Sequence, residues 1–223
     1  MEKTIGVTGT PQIPAQRGEQ LLETAVRYAQ ERHWDVFPGA WLEHDGTAPR
    51  CSCRARDCAA PGAHPTAPGW AAEATGSAGT VRRLWAGRPG ASILLPTGRT
   101  FEALEVSESA GCLALARMER RGLPLGPVLS TPDRRMLFLV LTGASARVPG
   151  LLRGLGRVPA ALDLRCRGEG EYIAAPPTRV GTHGVVQWVR RPGAAHRRLP
   201  DAEDLIGPLG YACAGEAVAA RAR

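Results

Sequence analysis

The chain is organised around the sequence CSCRARDCAAPGAH at residues 51–64, which holds three cysteines and a histidine but no large apolar side chain. Thiolates and a neutral imidazole are the ligands that Zn²⁺ prefers, and four of them close a tetrahedral structural site. Bound zinc would also contribute folding free energy to a segment without a core of its own. We therefore predict a structural zinc site. Its predicted ligands are Cys51, Cys53, Cys58 and His64, with His44 as the substitute if one of them is wrong.

Two other interpretations of these cysteines are a Cys51–Cys58 disulfide and unliganded thiols in a surface loop. The first residues lack an apolar run long enough for a signal peptide, and no segment approaches the roughly 18 apolar residues of a membrane span. We therefore expect a cytoplasmic protein without a membrane partner. In a reducing cytoplasm clustered cysteines are more often metal ligands than crosslinks, which favours zinc. Cys112, Cys166 and Cys213 occur singly, so we expect them to be packing residues.

Length and composition predict one main domain. A chain of 223 residues, 43% of them hydrophobic, can bury a sizeable core. Residues 1–17 show no hydrophobic periodicity and are predicted to be a flexible tail. We expect a single domain over residues 18–212, with a zinc-binding insertion at about residues 44–66 and a C-terminal tail over residues 213–223.

The formal net charge of +7 is unevenly distributed, because most of the basic excess falls after residue 130. A basic surface is typical of proteins that bind a polyanion, so DNA or RNA is the expected partner, through sequence-independent phosphate contacts. The alternatives are a solvated surface that keeps the protein soluble and a protein partner. The candidate contacts are Arg134, Arg135, Arg165, Arg167, Arg190 and Arg191, followed by Arg197 and Arg198.

Hydrophobic periodicity predicts helices and strands that alternate along the chain, which is an α/β fold. The predicted helices cover residues 18–32, 77–85, 110–121, 151–155 and 201–211. The predicted strands cover residues 34–37, 92–95, 101–106, 128–130, 136–141, 161–165, 172–175 and 185–189. The last connections are too short for crossovers, so the sheet is predicted to be mixed or antiparallel.

Five motifs in a characteristic order carry a resemblance to a known family. They lie at residues 28–38, 58–65, 70–75, 93–98 and 162–177. In this order they resemble the bifunctional DNA primase/polymerase domain, the Prim-Pol group of the archaeo-eukaryotic primase superfamily. The resemblance implies a mixed sheet with an RNA-recognition-motif-like core and a zinc-binding insertion. It also implies an activity that starts or extends nucleic-acid strands from nucleoside triphosphates.

The resemblance further implies a catalytic D-x-D pair, a histidine signature on the neighbouring strand, and a third aspartate before a basic residue. Such carboxylates hold two divalent ions, Mg²⁺ or Mn²⁺, for phosphoryl transfer. Here the D-x-D position reads Glu105-Val-Ser107, and the histidine signature falls at Arg134-Arg-Met136. Asp163, followed by Arg165, matches the third motif directly. A serine and a thioether are poor ligands for hard cations, so the catalytic site is predicted to be degenerate.

We therefore expect a non-enzymatic zinc protein that binds nucleic acid or a partner protein and has a regulatory role. One alternative is an active primase, polymerase or other nucleotidyltransferase with a remodelled site, in which Glu105 and Asp163 hold one Mg²⁺ or Mn²⁺ ion. The competing interpretation of these two acids is that they are solvated or ion-paired at strand ends. A further alternative is a nucleotide sensor that uses the former triphosphate pocket.

Overall fold

The structure is a computed structural model that describes residues 14–43, 48–193 and 199–221. His44, Arg197 and Arg198 lie outside these residues. The helices are α1 (Pro14–Arg32), α2 (Trp70–Glu73), α3 (Ala78–Ala86), α4 (Glu108–Arg120), α5 (Ala144–Gly154) and α6 (Ala202–Arg221). The strands are β1 (Phe37–Gly39), β2 (Leu42–Glu43), β3 (Arg50–Cys51), β4 (Ser92–Pro96), β5 (Glu102–Ser107), β6 (Val128–Thr131), β7 (Arg135–Val140), β8 (Leu164–Arg167), β9 (Tyr172–Ala174), β10 (Arg179–Val180), β11 (Gly184–Val185) and β12 (Gln187–Arg190). Among the helices described, none has the length and apolar character needed to cross a membrane.

The central sheet has five strands in the order β12-β6-β7-β5-β8, and its pairings are antiparallel. Along the chain, β5, α4, β6, β7, α5 and β8 form a β-α-β-β-α-β unit whose strands lie in the order β6-β7-β5-β8. This connectivity is that of ferredoxin-like sheets and of the RNA-recognition motif. The predicted α/β class and core sheet are therefore confirmed, with the sheet in its antiparallel form.

Strand β7 lies in the interior of this sheet and is buried on both faces, as its continuous apolar sequence predicts. Leu137 and Leu139 pack into one core cluster together with residues of α1 and α3. Met136 and Phe138 point to the opposite face and pack against α4, α5 and α6. The five-stranded sheet therefore separates two hydrophobic cores, and side chains of one strand reach different cores at alternate positions.

A smaller antiparallel sheet, in the order β1-β4-β9, covers the first of these cores. Ile93 and Leu95 of β4 are fully buried there, next to Trp34 and Trp85. The hydroxyl of Tyr28 in α1 donates a hydrogen bond of 2.7 Å to the carbonyl oxygen of Pro176, which ties the helix to the segment after β9. The smaller sheet therefore encloses the first core, on the side of the five-stranded sheet that faces α1 and α3.

Two predicted elements in the first half of the chain differ from the structure. Helix α1 begins at Pro14 rather than at residue 18, and proline is favoured in a first helical turn because it needs no N–H partner there. The strand predicted at residues 34–37 is instead Phe37–Gly39, so Pro38 lies inside β1. Because β1 is an edge strand of its sheet, it tolerates the missing backbone donor.

Three further predictions need correction in the second half. The short helix predicted at residues 151–155 is the end of α5, which begins at Ala144 and buries every fourth residue along Ala144, Val148 and Leu152. The strand predicted at residues 161–165 begins only at Leu164, after a 3₁₀ turn. Helix α6 continues to Arg221, so part of the segment predicted as a tail is helical, because Ala212 and Cys213 are buried in the second core.

Glu102 is a buried carboxylate at the start of β5, with only 4% of its surface exposed. Its two oxygens accept hydrogen bonds from the backbone N–H groups of Gly143 and Ser145, at 3.0 Å and 2.6 Å. These N–H groups lie at the N-terminus of α5, where backbone donors have no acceptor within the helix. A negative charge at this end of a helix also interacts favourably with the helix dipole.

Replacement of Glu102 by alanine should therefore lower the free energy of unfolding by about 2 kcal/mol, because two partly buried N–H groups lose a charged acceptor. Chemical denaturation measures this loss. Glu108→Ala is the matched control, since Glu108 also lies at a helix N-terminus, but its ion pair among the described residues is with the exposed Arg134. Equal losses in the two variants would contradict the capping role of Glu102.

Candidate functional site

The four predicted zinc ligands come together in the structure. The Sγ atoms of Cys51, Cys53 and Cys58 and a ring nitrogen of His64 all lie within 4.8 Å of one another. Cys51 Sγ lies 3.3 Å from His64 Nε2, and the N–H of Gly62 donates to the same sulfur at 3.3 Å. Three thiols and one imidazole converging on one point form a set of donors that suits Zn²⁺.

A hydrogen bond of His64 fixes the tautomer in which Nε2 is free to bind a metal ion. His64 Nδ1 lies 2.7 Å from the carbonyl oxygen of Pro65. A carbonyl oxygen only accepts, so Nδ1 must carry the proton, and Nε2 directs its lone pair toward Cys51. In metal-bound histidines, a hydrogen bond donated by the ring nitrogen that does not bind the metal orients the ring and makes the ligating nitrogen more basic.

The backbone around the cluster is anchored to the rest of the domain. The N–H of Ala40 donates to His64 O at 2.8 Å, and Ser52 N donates to Trp41 O at 2.9 Å. Gly62 has φ +77°, and a Cβ atom there would lie 2.8 Å from Leu42 Cγ. The pKa of Cys53 is lowered to about 7 because the N–H of Ala55 donates to its sulfur. The residues present therefore fit a metal ion such as zinc, and none of the described cysteines forms a disulfide.

Glu105 and Asp163, the two acids that the resemblance places at the catalytic position, are bridged by one arginine. Arg135 Nε donates to Glu105 Oε1 at 3.2 Å, and its two terminal nitrogens donate to Asp163 at 2.5 Å and 2.8 Å. Arg167 Nε donates to Glu105 Oε2. All four carboxylate oxygens therefore accept a hydrogen bond from a guanidinium group. Glu105 is the most enclosed member, with 10% of its side chain exposed, against 59% for Asp163.

These ion pairs change the protonation properties of the cluster. The hydrogen bonds from Arg135 hold the pKa of Asp163 below its ordinary value, and the same contacts raise the pKa of Arg135. Both groups are therefore charged at neutral pH. A divalent ion would need these carboxylate oxygens as ligands, but Arg135 lies between them. The residues present do not fit the Mg²⁺ or Mn²⁺ ion that the resemblance implied.

The strand register places Met136, which the resemblance assigns to the histidine position, on the face of the sheet opposite the acids. On β7 Met136 pairs with Val106, whereas Arg135 pairs with Ser107. Met136 is buried in the second core, where a Cβ atom on Gly111 would lie 2.7 Å from its sulfur. A shift of one residue exchanges the two faces of a strand, so Arg135 is the β7 residue at the acids.

Ser107, at the position of the second catalytic aspartate, has a structural role. Its Oγ accepts a hydrogen bond of 3.1 Å from Ala110 N and so caps α4. The same hydroxyl donates to Glu216 Oε2 at 2.5 Å, and Ser109 donates to the other oxygen of Glu216. These contacts leave Ser107 poorly placed to act as a metal ligand.

Most of the arginines predicted to bind nucleic acid form contacts within the chain. Arg134 pairs with Glu108 at 3.1 Å, Arg165 pairs with Glu171, and Arg135 and Arg167 belong to the cluster above. Arg190 also has a partner. Arg191 lines a cleft of about 430 Å³ between α1 and β12, together with Arg27, Tyr28 and Trp188. The nucleic-acid contacts of these arginines stay a prediction.

Sequence reasoning missed the partners that occupy the site. Arg135 was predicted to contact phosphate rather than to bridge two acids, and Glu171 and Glu216 were not considered. The alternation of Arg135 with the buried Leu137 is a signal that places Arg135 on the face of the acids. The contact with Glu216 has no such signal, because it depends on the packing of α6 against β5.

The β-α-β-β-α-β sheet with its Cys/His cluster defines an RNA-recognition-motif-like domain with a candidate metal centre. The family model of the bifunctional DNA primase/polymerase N-terminal domain matches residues 25–203. The chain therefore belongs to the Prim-Pol family, and the predicted family is confirmed. No curated protein and no solved structure matches the chain. Membership associates the chain with primase/polymerase-like functions that involve nucleic acid.

Proposed function

We propose that this domain is a non-catalytic member of its family that binds nucleic acid and is stabilised by zinc. The observation that carries the proposal is the position of Arg135, which donates to both Glu105 and Asp163. Polymerases of this family type use carboxylates at this place to hold divalent ions, which align the attacking hydroxyl and neutralise the triphosphate. Arg135 instead supplies the positive charge that compensates both carboxylates, and its guanidinium group occupies the space between them.

The energetics favour the arginine over a metal ion. A bidentate guanidinium–carboxylate pair is among the strongest hydrogen-bonded contacts in proteins. A divalent ion would have to break this pair and the Glu105 contacts, and it would lie next to two positive side chains. Losing the two-metal arrangement removes most of the catalysis available to phosphoryl transfer. These considerations support a binding function rather than an enzymatic one.

A second candidate, nucleotide binding, is favoured by the cleft between α1 and β12. Trp188 Nε1 donates to Tyr28 Oη at 3.0 Å, so two aromatic side chains are held in place beside Arg27 and Arg191. Fixed aromatic and basic groups suit a base and its phosphate. In this case the nucleotide would bind away from the former catalytic site.

The test combines an activity assay with a binding titration. Primer extension and de novo priming are run with Mg²⁺ and with Mn²⁺, beside titrations of single-stranded DNA, duplex DNA, RNA and ATP followed by fluorescence anisotropy or calorimetry. We expect nucleic-acid binding that weakens with salt and no metal-dependent incorporation. ATP binding without nucleic-acid binding would favour the second candidate. Incorporation that is abolished by Glu105→Ala or Asp163→Ala would overturn the proposal.

A further inference from the structure

A group of five arginines gathers on the helical side of the domain, although the charge distribution along the sequence does not show it. They lie near or just beyond the C-terminal ends of α4 and α5 and are Arg117, Arg120, Arg121, Arg153 and Arg157. We call them the helical arginine patch. Within the described residues, none of the five forms an ion pair with a carboxylate. The arginines around β7 and β8, by contrast, are paired.

Three of the five arginines line a groove of about 260 Å³ beside α6. Arg117 and Arg121 of α4 line one part of it, and Arg157 lines another. Gly207 and Gly210 of α6 also line the groove, and a Cβ atom on Gly207 would meet nothing within 4 Å. The groove is therefore lined by three arginines, by Leu155 and by the backbone of α6, and no acidic side chain of the described residues lines it.

An exposed aromatic ring lies in the same groove. Tyr211 keeps 51% of its surface exposed, and the guanidinium carbon of Arg117 lies 4.6 Å from its ring centroid. Nucleic-acid bases stack on exposed aromatic rings, and neighbouring arginines add cation–π contacts. The ring thus adds a base-stacking group to the phosphate-binding groups of the patch.

The simplest structural explanation covers only part of the patch. Basic residues in the last turn of a helix interact favourably with its dipole, which accounts for Arg117, Arg120 and Arg153. It does not account for Arg157, beyond the end of α5, or for a groove in which no carboxylate of the described residues pairs with the arginines. Such an arrangement complements the charge of a polyanion.

We propose that the helical arginine patch binds the backbone of single-stranded nucleic acid, with Tyr211 stacking on a base. The inference rests on the proposed nucleic-acid-binding function and gives it a location. The helices that carry the patch, α4 and α5, pack on the face of the sheet that carries Met136 and Phe138. Glu105 and Arg135 lie on the opposite face. The strand therefore binds on the reverse side of the domain from the former catalytic residues.

The test compares two arginine pairs that carry equal charge. Arg121→Gln with Arg157→Gln removes two charges from the groove. Arg82→Gln with Arg83→Gln removes two exposed charges from α3, on the other side of the domain. Anisotropy titrations of a labelled single strand at several salt concentrations should show roughly tenfold weaker binding for the groove pair. Its log–log salt slope should be smaller by about 1.4, the value for two phosphates on a single strand.

The control pair should bind as the wild type does, and thermal melting shows that both variants are folded. Tyr211→Ala should weaken single-strand binding and leave duplex binding unchanged. If the wild type binds but the two pairs lose affinity equally, the location is wrong while the nucleic-acid function stands. If the wild type binds no nucleic acid even at low salt, both proposals fail. A groove-pair defect on duplex alone would overturn the assignment to a single strand.

Discussion

Replacing Arg135 by alanine should lower the free energy of unfolding by about 3 kcal/mol, because it leaves the enclosed Glu105 with one partner and Asp163 with none. Arg134→Ala is the matched control on the adjacent residue. Arg134 has 81% of its side chain exposed and pairs with a surface glutamate, so its loss should cost less than about 1 kcal/mol. Urea denaturation at neutral pH measures both changes.

The pH dependence of this difference follows from the lowered pKa of Asp163. A carboxyl group whose pKa is lower in the folded state contributes stability above its unfolded pKa, and this contribution is lost as pH falls through the folded pKa. The gap between the wild type and Arg135→Ala should therefore be largest at neutral pH and should narrow below about pH 4. A gap of the same size at all pH values, or equal losses for Arg134→Ala and Arg135→Ala, would contradict the ion-pair account.

Removing zinc should have the second large effect. The purified protein should carry about one zinc ion per chain, since three cysteines and one histidine complete its coordination. Chelation, or Cys53→Ser, should lower the melting temperature and loosen the insertion, because metal binding supplies the folding free energy of such segments. Hydrogen exchange should accelerate around residues 48–66 while the amides of β5 and β7 stay protected.

Cys112→Ser serves as the control for zinc, because Cys112 is exposed and lies on α4, outside the cluster. This variant should retain the metal and the melting temperature of the wild type. Elemental analysis that finds no zinc in protein purified without chelators would contradict the site. A loss of protection throughout the five-stranded sheet after chelation would show that the insertion stabilises more of the domain than we propose.

Local sequence patterns predicted the features that depend on neighbouring residues. The spacing of Cys51, Cys53, Cys58 and His64 indicated their convergence, since they occupy one short segment. The apolar run of β7 indicated burial on both faces. The order of strands in the core sheet came through the family resemblance, because periodicity alone does not specify which strands pair.

The face of Arg135 could have been inferred from its alternation with Leu137, whereas features that depend on distant packing were beyond the sequence. Met136 would face the acids only if β7 were shifted by one residue, because such a shift moves each side chain to the other face of the sheet. The bridge from Arg135 to Asp163 joins two strands that are not neighbours, β7 and the start of β8, across β5. The groove beside Tyr211 forms only when α4, α5 and α6 pack together.

We propose that Arg135 occupies the space between Glu105 and Asp163 in place of a metal ion. Electron paramagnetic resonance of Mn²⁺ is the decisive test, carried out on zinc-loaded wild type, Arg135→Ala and Glu105→Gln. We expect the wild type to leave the spectrum of free Mn²⁺ unchanged, whereas Arg135→Ala binds Mn²⁺ through the two released carboxylates. Stoichiometric binding by the wild type that disappears in Glu105→Gln would contradict the claim.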